Sequence, residues 1–371
     1  MRVVVIKNNL KEGLDAIQRA SGESLNLPIL KYALLEVMDQ NIKLTATNLE
    51  IAISCLVLSK AIDRGRMCIP ISTFLGLINN LESERINLER KGNQLALKTD
   101  NYEAIIQTLS VDDFPIIPKI KNEREFFEIK SEVFKEALLQ TLSASQFSEL
   151  RPELNSVLFD FSLDTLKLVT TDSFRLAEKT ITSNQFKTNH GQNFKLLIPL
   201  KTAQELLRIL KDDEILRIYH DQNQVLFKTE RLEFISRLVD GNFPDYTAII
   251  PKGFDSEVVL EREKIMSALK LVGVFSGRSG EVKLKAPNGE KVLEIYSSSQ
   301  ETGENKYLLP AKATKKLEEV TFNWRYLADG LKALQTDQVF LGLNEEDKKP
   351  TIIKSPNEAS FFYIVMPILK T

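Results

Sequence analysis

The chain has 371 residues, 43% of them hydrophobic and 27% charged, with a formal net charge of −2. That length suits three domains of about 120 residues, and the near-neutral balance excludes a globally basic nucleic-acid binder, leaving only basic residues gathered on one face. Two cysteines, Cys55 and Cys68, exclude a disulfide framework and complete no zinc ligand set, so both read as buried thiols.

In chain order, the same phrase recurs three times. A short apolar strand runs into an amphipathic helix at Val3 to Ile17, at Phe127 to Leu142 and at Val258 to Val274. In the first copy Val3 and Val5 alternate before Leu10, Leu14 and Ile17 take up helical spacing. A switch from period two to period 3.6 at matching places in each third reads as one domain built three times. Strand segments follow at Ile42 to Ala46, Leu166 to Thr170 and Val292 to Ser297. A second helix is expected after Ile69-Pro70, after Ile198-Pro199 and after Phe322-Asn323; proline lacks the N–H that a helix start leaves unpaired, and asparagine caps well. Pro-bearing segments close each copy at Asp113-Phe114-Pro115, Asn242 to Tyr246 and Val365-Met366-Pro367. Polar connectors near 121 and 251 then divide the chain into 1–121, 122–251 and 252–371. Strand-rich halves around two helices per domain make the class α+β with mostly antiparallel sheet. The Met1 to Ile6 and Phe361 to Met366 runs are too short to span a membrane, so a cytoplasmic protein is expected.

A catalytic constellation is hard to find. His190 and His220, the only histidines, lack a carboxylate or thiol at triad or ligand spacing and read as isolated surface or loop residues. Gly277-Arg278-Ser279-Gly280 lacks the Gly-Lys-Ser/Thr ending of a phosphate loop and reads as a loop tip. Asp112-Asp113 and Asp212-Asp213 could serve as metal carboxylates in a nuclease, but no further ligand converges on them. No metal and no cofactor are expected. The helices carry more information: Lys11, Arg19, Lys130, Lys135, Lys201, Arg208, Lys211, Arg262, Lys264, Lys270, Arg325 and Lys332 would sum to a positive lining if symmetry turned these helices toward one axis. Acidic neighbours such as Glu12, Glu132, Glu205 and Glu263 leave solvated helix faces as the alternative.

Three stretches then acquire a shared meaning. Thr171-Asp172-Ser173-Phe174-Arg175-Leu176-Ala177, Leu238 to Tyr246 and Val365-Met366-Pro367-Ile368, together with Leu27-Pro28-Ile29-Leu30, resemble signature segments of the bacterial DNA polymerase III β subunit family, the replication sliding clamps. The resemblance spans the whole chain. It implies three repeated clamp domains, each with two helices on antiparallel sheets, forming half of a closed ring that a head-to-tail homodimer completes. The implied function is a non-catalytic processivity factor that slides on double-stranded DNA without sequence preference. It would tether the DNA polymerase III α subunit, the clamp loader and repair polymerases through short linear peptides, and associate with the nucleoid during replication.

By matching position, the resemblance places a hydrophobic peptide cleft at Leu154, Thr171, Ser173, Phe174, Arg175, Leu176, Pro244, Ile249, Ile364, Val365, Met366, Pro367 and Ile368. DNA contacts fall on Arg151, Lys201, Arg208, Asn323 and Tyr326, and the dimer contact on Ile106, Val274 and Phe275. Four departures stand out. Phe174 occupies a place where many clamps have histidine, Ala248 one where some have arginine, Ser24 replaces a DNA-touching arginine, and Pro152-Glu153 replaces paired aromatics. A metal-dependent nuclease built on the Asp pairs and a β-rich peptide scaffold without DNA binding are the competing readings.

Overall fold

The computed structural model describes residues 1–22, 24–148, 151–287, 291–346 and 349–369. Among them lie six α-helices: α1 (Lys7–Ile17), α2 (Ile71–Asn80), α3 (Ser131–Thr141), α4 (Leu200–Ile209), α5 (Arg262–Gly273) and α6 (Trp324–Lys332). The odd-numbered helices follow the strands Arg2–Ile6, Phe127–Lys130 and Ser256–Glu261, where the change of apolar period was expected. The even-numbered ones begin directly after Pro70, Pro199 and Asn323. Pro70 is the last residue of its strand and the cap of α2, paired across to Tyr32, so its ring ends one element as the next begins. Asn323 caps α6 chemically, its side-chain oxygen accepting from the Arg325 N–H.

The described residues fall into two compact units. The first comprises Met1–Glu132, Lys187–His190 and Arg208–Leu238; the second comprises Val133–Phe186, Gly191–Leu207 and Val239–Thr371. Their division runs inside the stretch 122–251 that the sequence reads as one domain. The first unit is built on a thirteen-stranded sheet. Within it α1 buries Leu10, Leu14 and Ile17 completely, and a Cβ on Gly13 would stand 2.4 Å from the Val57 side chain, so glycine permits this close approach of helix to sheet. The second unit holds a nine-stranded and a four-stranded sheet. There Phe134 of α3 packs edge-on against Phe159, while α5 and α6 bury Ile265, Leu269, Leu327 and Leu331 in one cluster with Tyr363. Tyr363 lies flat on Gly330, where a Cβ would come within 2.5 Å of its ring.

Each unit contains a seam where strands distant in sequence pair antiparallel. In the first, Ile51–Asp63 takes Leu232–Arg237 as a neighbour, with Ile51 opposite Ser236 and Cys55 opposite Leu232. In the second, Arg175–Thr182 takes Phe361–Val365, with Arg175 opposite Val365 and Lys179 opposite Phe361. Among the strands at the ends of their sheets are Glu103–Gln107 in the first unit and Gly303–Pro310 in the second. Cys55 and Cys68 are both free and buried.

Candidate functional site

The sharpest local geometry lies at the turn between the strands Thr165–Thr171 and Arg175–Thr182. Asp172 accepts from the backbone N–H groups of Phe174 (2.9 Å) and Arg175 (3.0 Å), while the Thr171 hydroxyl accepts from the Ser173 N–H and donates to the Arg175 carbonyl. These bonds hold Ser173 at φ 77°, a left-handed conformation unusual for a residue with a Cβ. The consequence is that Phe174 is thrown outward, 59% exposed, and Arg175 turned inward, 8% exposed.

Arg175 is held on all sides. Its Nε donates to Asp172 (2.8 Å), Nη1 to Asp329 of α6 (2.7 Å) and Nη2 to the Ser145 carbonyl (3.3 Å), and its guanidinium lies 4.4 Å from the Tyr326 ring centre. Burial opposes the charge, but Tyr363, Asp172 and Asp329 outweigh it and raise the Arg175 pKa above its ordinary value. Tyr326 in turn stacks against Phe174 at 6.5 Å and 26°. Arginine, tyrosine and exposed phenylalanine therefore form a continuous series.

Behind Phe174 the C-terminal segment completes the corner: the Met366 N–H donates to the Phe174 carbonyl and the Ile368 N–H to the Thr321 carbonyl. Leu176 and Ile364 sit opposite each other and share a buried cluster with Leu158, Val169, Leu197, Tyr246 and Ile352. The predicted cleft residues thus divide in two. Leu154, Thr171, Arg175, Leu176, Ile364, Val365 and Pro367 are buried, while Ser173, Phe174, Pro244 and Ile249 are exposed and Met366 and Ile368 half-buried. Ala248 is exposed beside Ile249. A pocket of about 530 Å³ is lined by the 241–247 loop together with Leu158, Lys167, Lys195 and others. Burial and the neighbouring Glu178 raise the pKa of the Tyr246 hydroxyl.

The predicted DNA residues are dispersed. Arg151 donates to the Ser173 hydroxyl (3.2 Å) and pairs with Glu153, so it braces the cleft turn. Tyr326 belongs to the same corner, and Asn323 is the α6 cap. Lys201 and Arg208 are exposed two turns apart on α4. Other basic residues predicted on helices have acidic partners: Lys264 with Glu261, Lys332 with Asp329, Arg262 with Glu263, and Lys211, which lies just beyond α4, with Glu12. Ser24 accepts from the Leu27 N–H in a local turn. At the predicted dimer positions, Ile106 points into the core at 5% exposure while Ile105 faces out at 47%. Val274 is exposed and Phe275 half-buried just after α5.

Asp112-Asp113 and Asp212-Asp213 are exposed, and among the described residues no group of three or more His, Cys, Asp or Glu side chains could hold a metal. Gly277 to Gly280 forms the turn between α5 and the strand Glu281–Ala286. The reading of the histidines as isolated is corrected: His190 and His220 are half-buried and stack at 5.5 Å and 24°. Sequence reasoning could not bring them together, because their contact is made across strands.

Three repeated modules of two helices and antiparallel sheet define the DNA-clamp architecture. Family models for the DNA polymerase III β subunit match the chain three times in succession: the N-terminal domain over residues 1–118, the central domain over 128–245 and the C-terminal domain over 247–369. Beta sliding clamps of Synechococcus elongatus and Bacillus subtilis are each 26% identical over 99% of this chain and 99% of their own length. The crystal structure of the Bacillus subtilis clamp superposes with a TM-score of 0.93 at 25% identity over 100% of both chains. A Pseudomonas aeruginosa clamp bound to griselimycin gives the same TM-score, identity and coverage. The chain belongs to the DNA polymerase III β subunit family, the bacterial sliding clamps. It is a processivity factor of DNA replication and a non-catalytic subunit of the polymerase. Among the described residues no helix is long and apolar enough to cross a membrane.

Proposed function

We propose that two copies join head to tail into a closed ring that encircles duplex DNA without reading its sequence. In this reading the ring tethers the polymerase III α subunit, the clamp loader and repair polymerases through short peptides seated at the Phe174 corner. The chain divides near 121 and 251 into three modules, and the ring works in the cytoplasm at the nucleoid. The observation that carries the reading is the corner itself: an exposed aromatic ring over a buried apolar floor, at the end of a strand seam, in a chain with full-length likeness to bacterial clamps. Such a surface suits an extended peptide with apolar anchors.

Closure is supported by two of the end strands. Glu103–Gln107 presents outward-facing Ile105, and Gly303–Pro310 presents exposed Leu308. An open strand edge with apolar residues invites pairing, and a heterologous contact of this kind closes when its rotation permits. Ile106 supports the contact from inside, while Val274 and Phe275 lie on its rim. Lys201 and Arg208 supply exchangeable phosphate contacts on α4, and topology keeps the ring on DNA. The test is retention on closed circular DNA after loading by a partner ATPase, with release when the circle is cut. Equal loss from circular and linear DNA, or a stable monomer in sedimentation, overturns the ring. Val274→Asp with Phe275→Asp is expected to give monomers that still bind a cleft peptide.

A further inference from the structure

We propose that His190 and His220 form an acid-released clasp on the connector between the first two modules. The connector, residues 119–127, lies between the stretches matched by the N-terminal and central family models. It is fastened at several points within the first unit. Gln224 donates to the Lys119 carbonyl, Lys228 pairs with Glu123, and the Asn189 amide donates to the Arg124 carbonyl while its oxygen accepts from the Phe126 N–H (2.8 Å). The Thr188 hydroxyl donates to the Phe126 carbonyl and accepts from the His190 N–H. Ile120 packs with Tyr219 and Leu226, and the Arg217 guanidinium lies 5.6 Å from the Phe126 ring centre.

The fastening segment 186–190 ends on His190, whose ring lies on that of His220 at the end of the strand Ile215–His220. Charged groups that face the pair include Glu125, which acts on both rings, and Asp221. From the connector, Glu125 approaches His190 Nδ1 at 3.7 Å; from the turn after His220, Asp221 acts on that ring. Burial pushes the pKa of both imidazoles below the ordinary histidine value, and His220 lowers that of His190 further, while Glu125 and Asp221 oppose the shift. The neutral pair is a flat contact. Once both rings gain protons, like charges face each other at stacking distance in a half-buried site, and the cost of burying them outweighs the help from Glu125 and Asp221, as the lowered pKa of each ring requires.

The sign follows from proton linkage. A histidine whose pKa is lowered in the closed state binds more protons when the seat opens, so the clasp holds above about pH 6.5 and weakens as pH falls through the lowered values. Each extra proton taken up shifts the opening equilibrium by up to about tenfold per pH unit. Nothing in this inference depends on ring closure or on peptide binding.

The test is hydrogen exchange on the full chain, corrected for the intrinsic pH dependence of exchange, between about pH 7.5 and about pH 5.5, alongside NMR titration of both imidazoles. Protection of the 119–127 amides is expected to fall about tenfold or more over that range while the core of the Asn41–Thr47 and Ile51–Asp63 pair stays protected. His190→Phe with His220→Phe, which keeps two stacked rings and removes titration, is expected to abolish the fall. Should the double variant fold poorly, His190→Gln and His220→Gln singly serve, and each is expected to reduce the fall. Connector protection that stays flat while the histidines titrate, or that falls equally in the variants, overturns the proposal.

Discussion

The corner at Thr171 to Arg175 has a twin at Thr47 to Ile51, and the two differ only in what they carry. In the first unit Asn48 accepts from the Glu50 and Ile51 N–H groups, the Thr47 hydroxyl accepts from the Leu49 N–H and donates to the Ile51 carbonyl, and Leu49 is left-handed at φ 75°. Bond for bond this is the cage around Ser173. The match extends across the seam: the Arg237 N–H donates to the Glu50 carbonyl as the Met366 N–H does to that of Phe174. Yet where the second corner presents Phe174 and Met366, the first presents an exposed Glu50–Arg237 ion pair. Where the second buries Arg175 between two aspartates, the first buries Ile51. The backbone device belongs to the repeat, and the chemistry proposed for docking to a handful of side chains placed on it.

The largest test of that contrast is at the buried charge. Arg175→Ala leaves Asp172 without its partner in a dry site and is expected to destabilise the second unit by about 3–5 kcal/mol, read by chemical denaturation. Removing Glu50 and Arg237 together, a solvent-exposed pair, is expected to change stability by less than about 1 kcal/mol. Comparable costs at the two corners would erase the distinction. Next comes binding: Phe174→Asp is expected to weaken a short apolar cleft peptide by about thirtyfold, roughly 2 kcal/mol, in fluorescence anisotropy while leaving the melting temperature unchanged. Leu49→Asp is expected to leave peptide affinity as it is.

The shared cage makes a smaller, symmetric prediction. Leu49→Asn and Ser173→Asn place a residue tolerant of left-handed backbone at each turn, and each is expected to stabilise by about 0.5–1 kcal/mol. A gain at only one turn would mean that the two cages are not equivalent.

The seams themselves are charge-inverted. Glu233 lies between Lys43 (3.0 Å) and Lys228 (3.3 Å), whereas Lys179 lies between Glu136 (3.3 Å) and Glu358 (3.0 Å). Burial opposes the Glu233 charge, but the two lysines outweigh it and lower its pKa. A hydrogen bond from Ser360, then Lys179, lowers that of Glu358 against burial. Carboxylates lowered in this way stabilise the fold above the ordinary carboxylate value of about 4.3, and that contribution disappears as pH falls through the lowered values. Thermal melts of Glu233→Gln and Glu358→Gln against the parent are therefore expected to differ most near neutral pH and to converge in acid, with modest amplitude because both side chains are more than a third exposed.

Much of the scaffold was legible because it is written locally. The change of apolar period at Val3 to Ile17 and its two echoes located the odd-numbered helices, and Pro70, Pro199 and Asn323 located the even-numbered ones. What escaped is contact between strands and helices remote in sequence. Nothing near Arg175 announces Asp329, Tyr326 gave no sign that it would stack on Phe174, and a one-residue difference in register separates outward-facing Ile105 from buried Ile106. Only the family resemblance points to the proposed cleft segments, since their individual residues are ordinary strand and turn residues. The twin turn at Thr47 was open to discovery, because Thr-Asn and Thr-Asp stand at corresponding points of the first two copies.

The strand Phe361–Val365 has a further consequence for how the molecule is made. It lies between Thr351–Lys354 and Arg175–Thr182, and the bond from Met366 to Phe174 follows directly from it. During synthesis the Arg175 strand leaves the ribosome about 190 residues before its partner and must wait with one edge uncovered. A ribosome-stalled product lacking this late strand has neither the second seam nor the Phe174 corner, so the surface proposed for peptides forms only when synthesis is nearly complete.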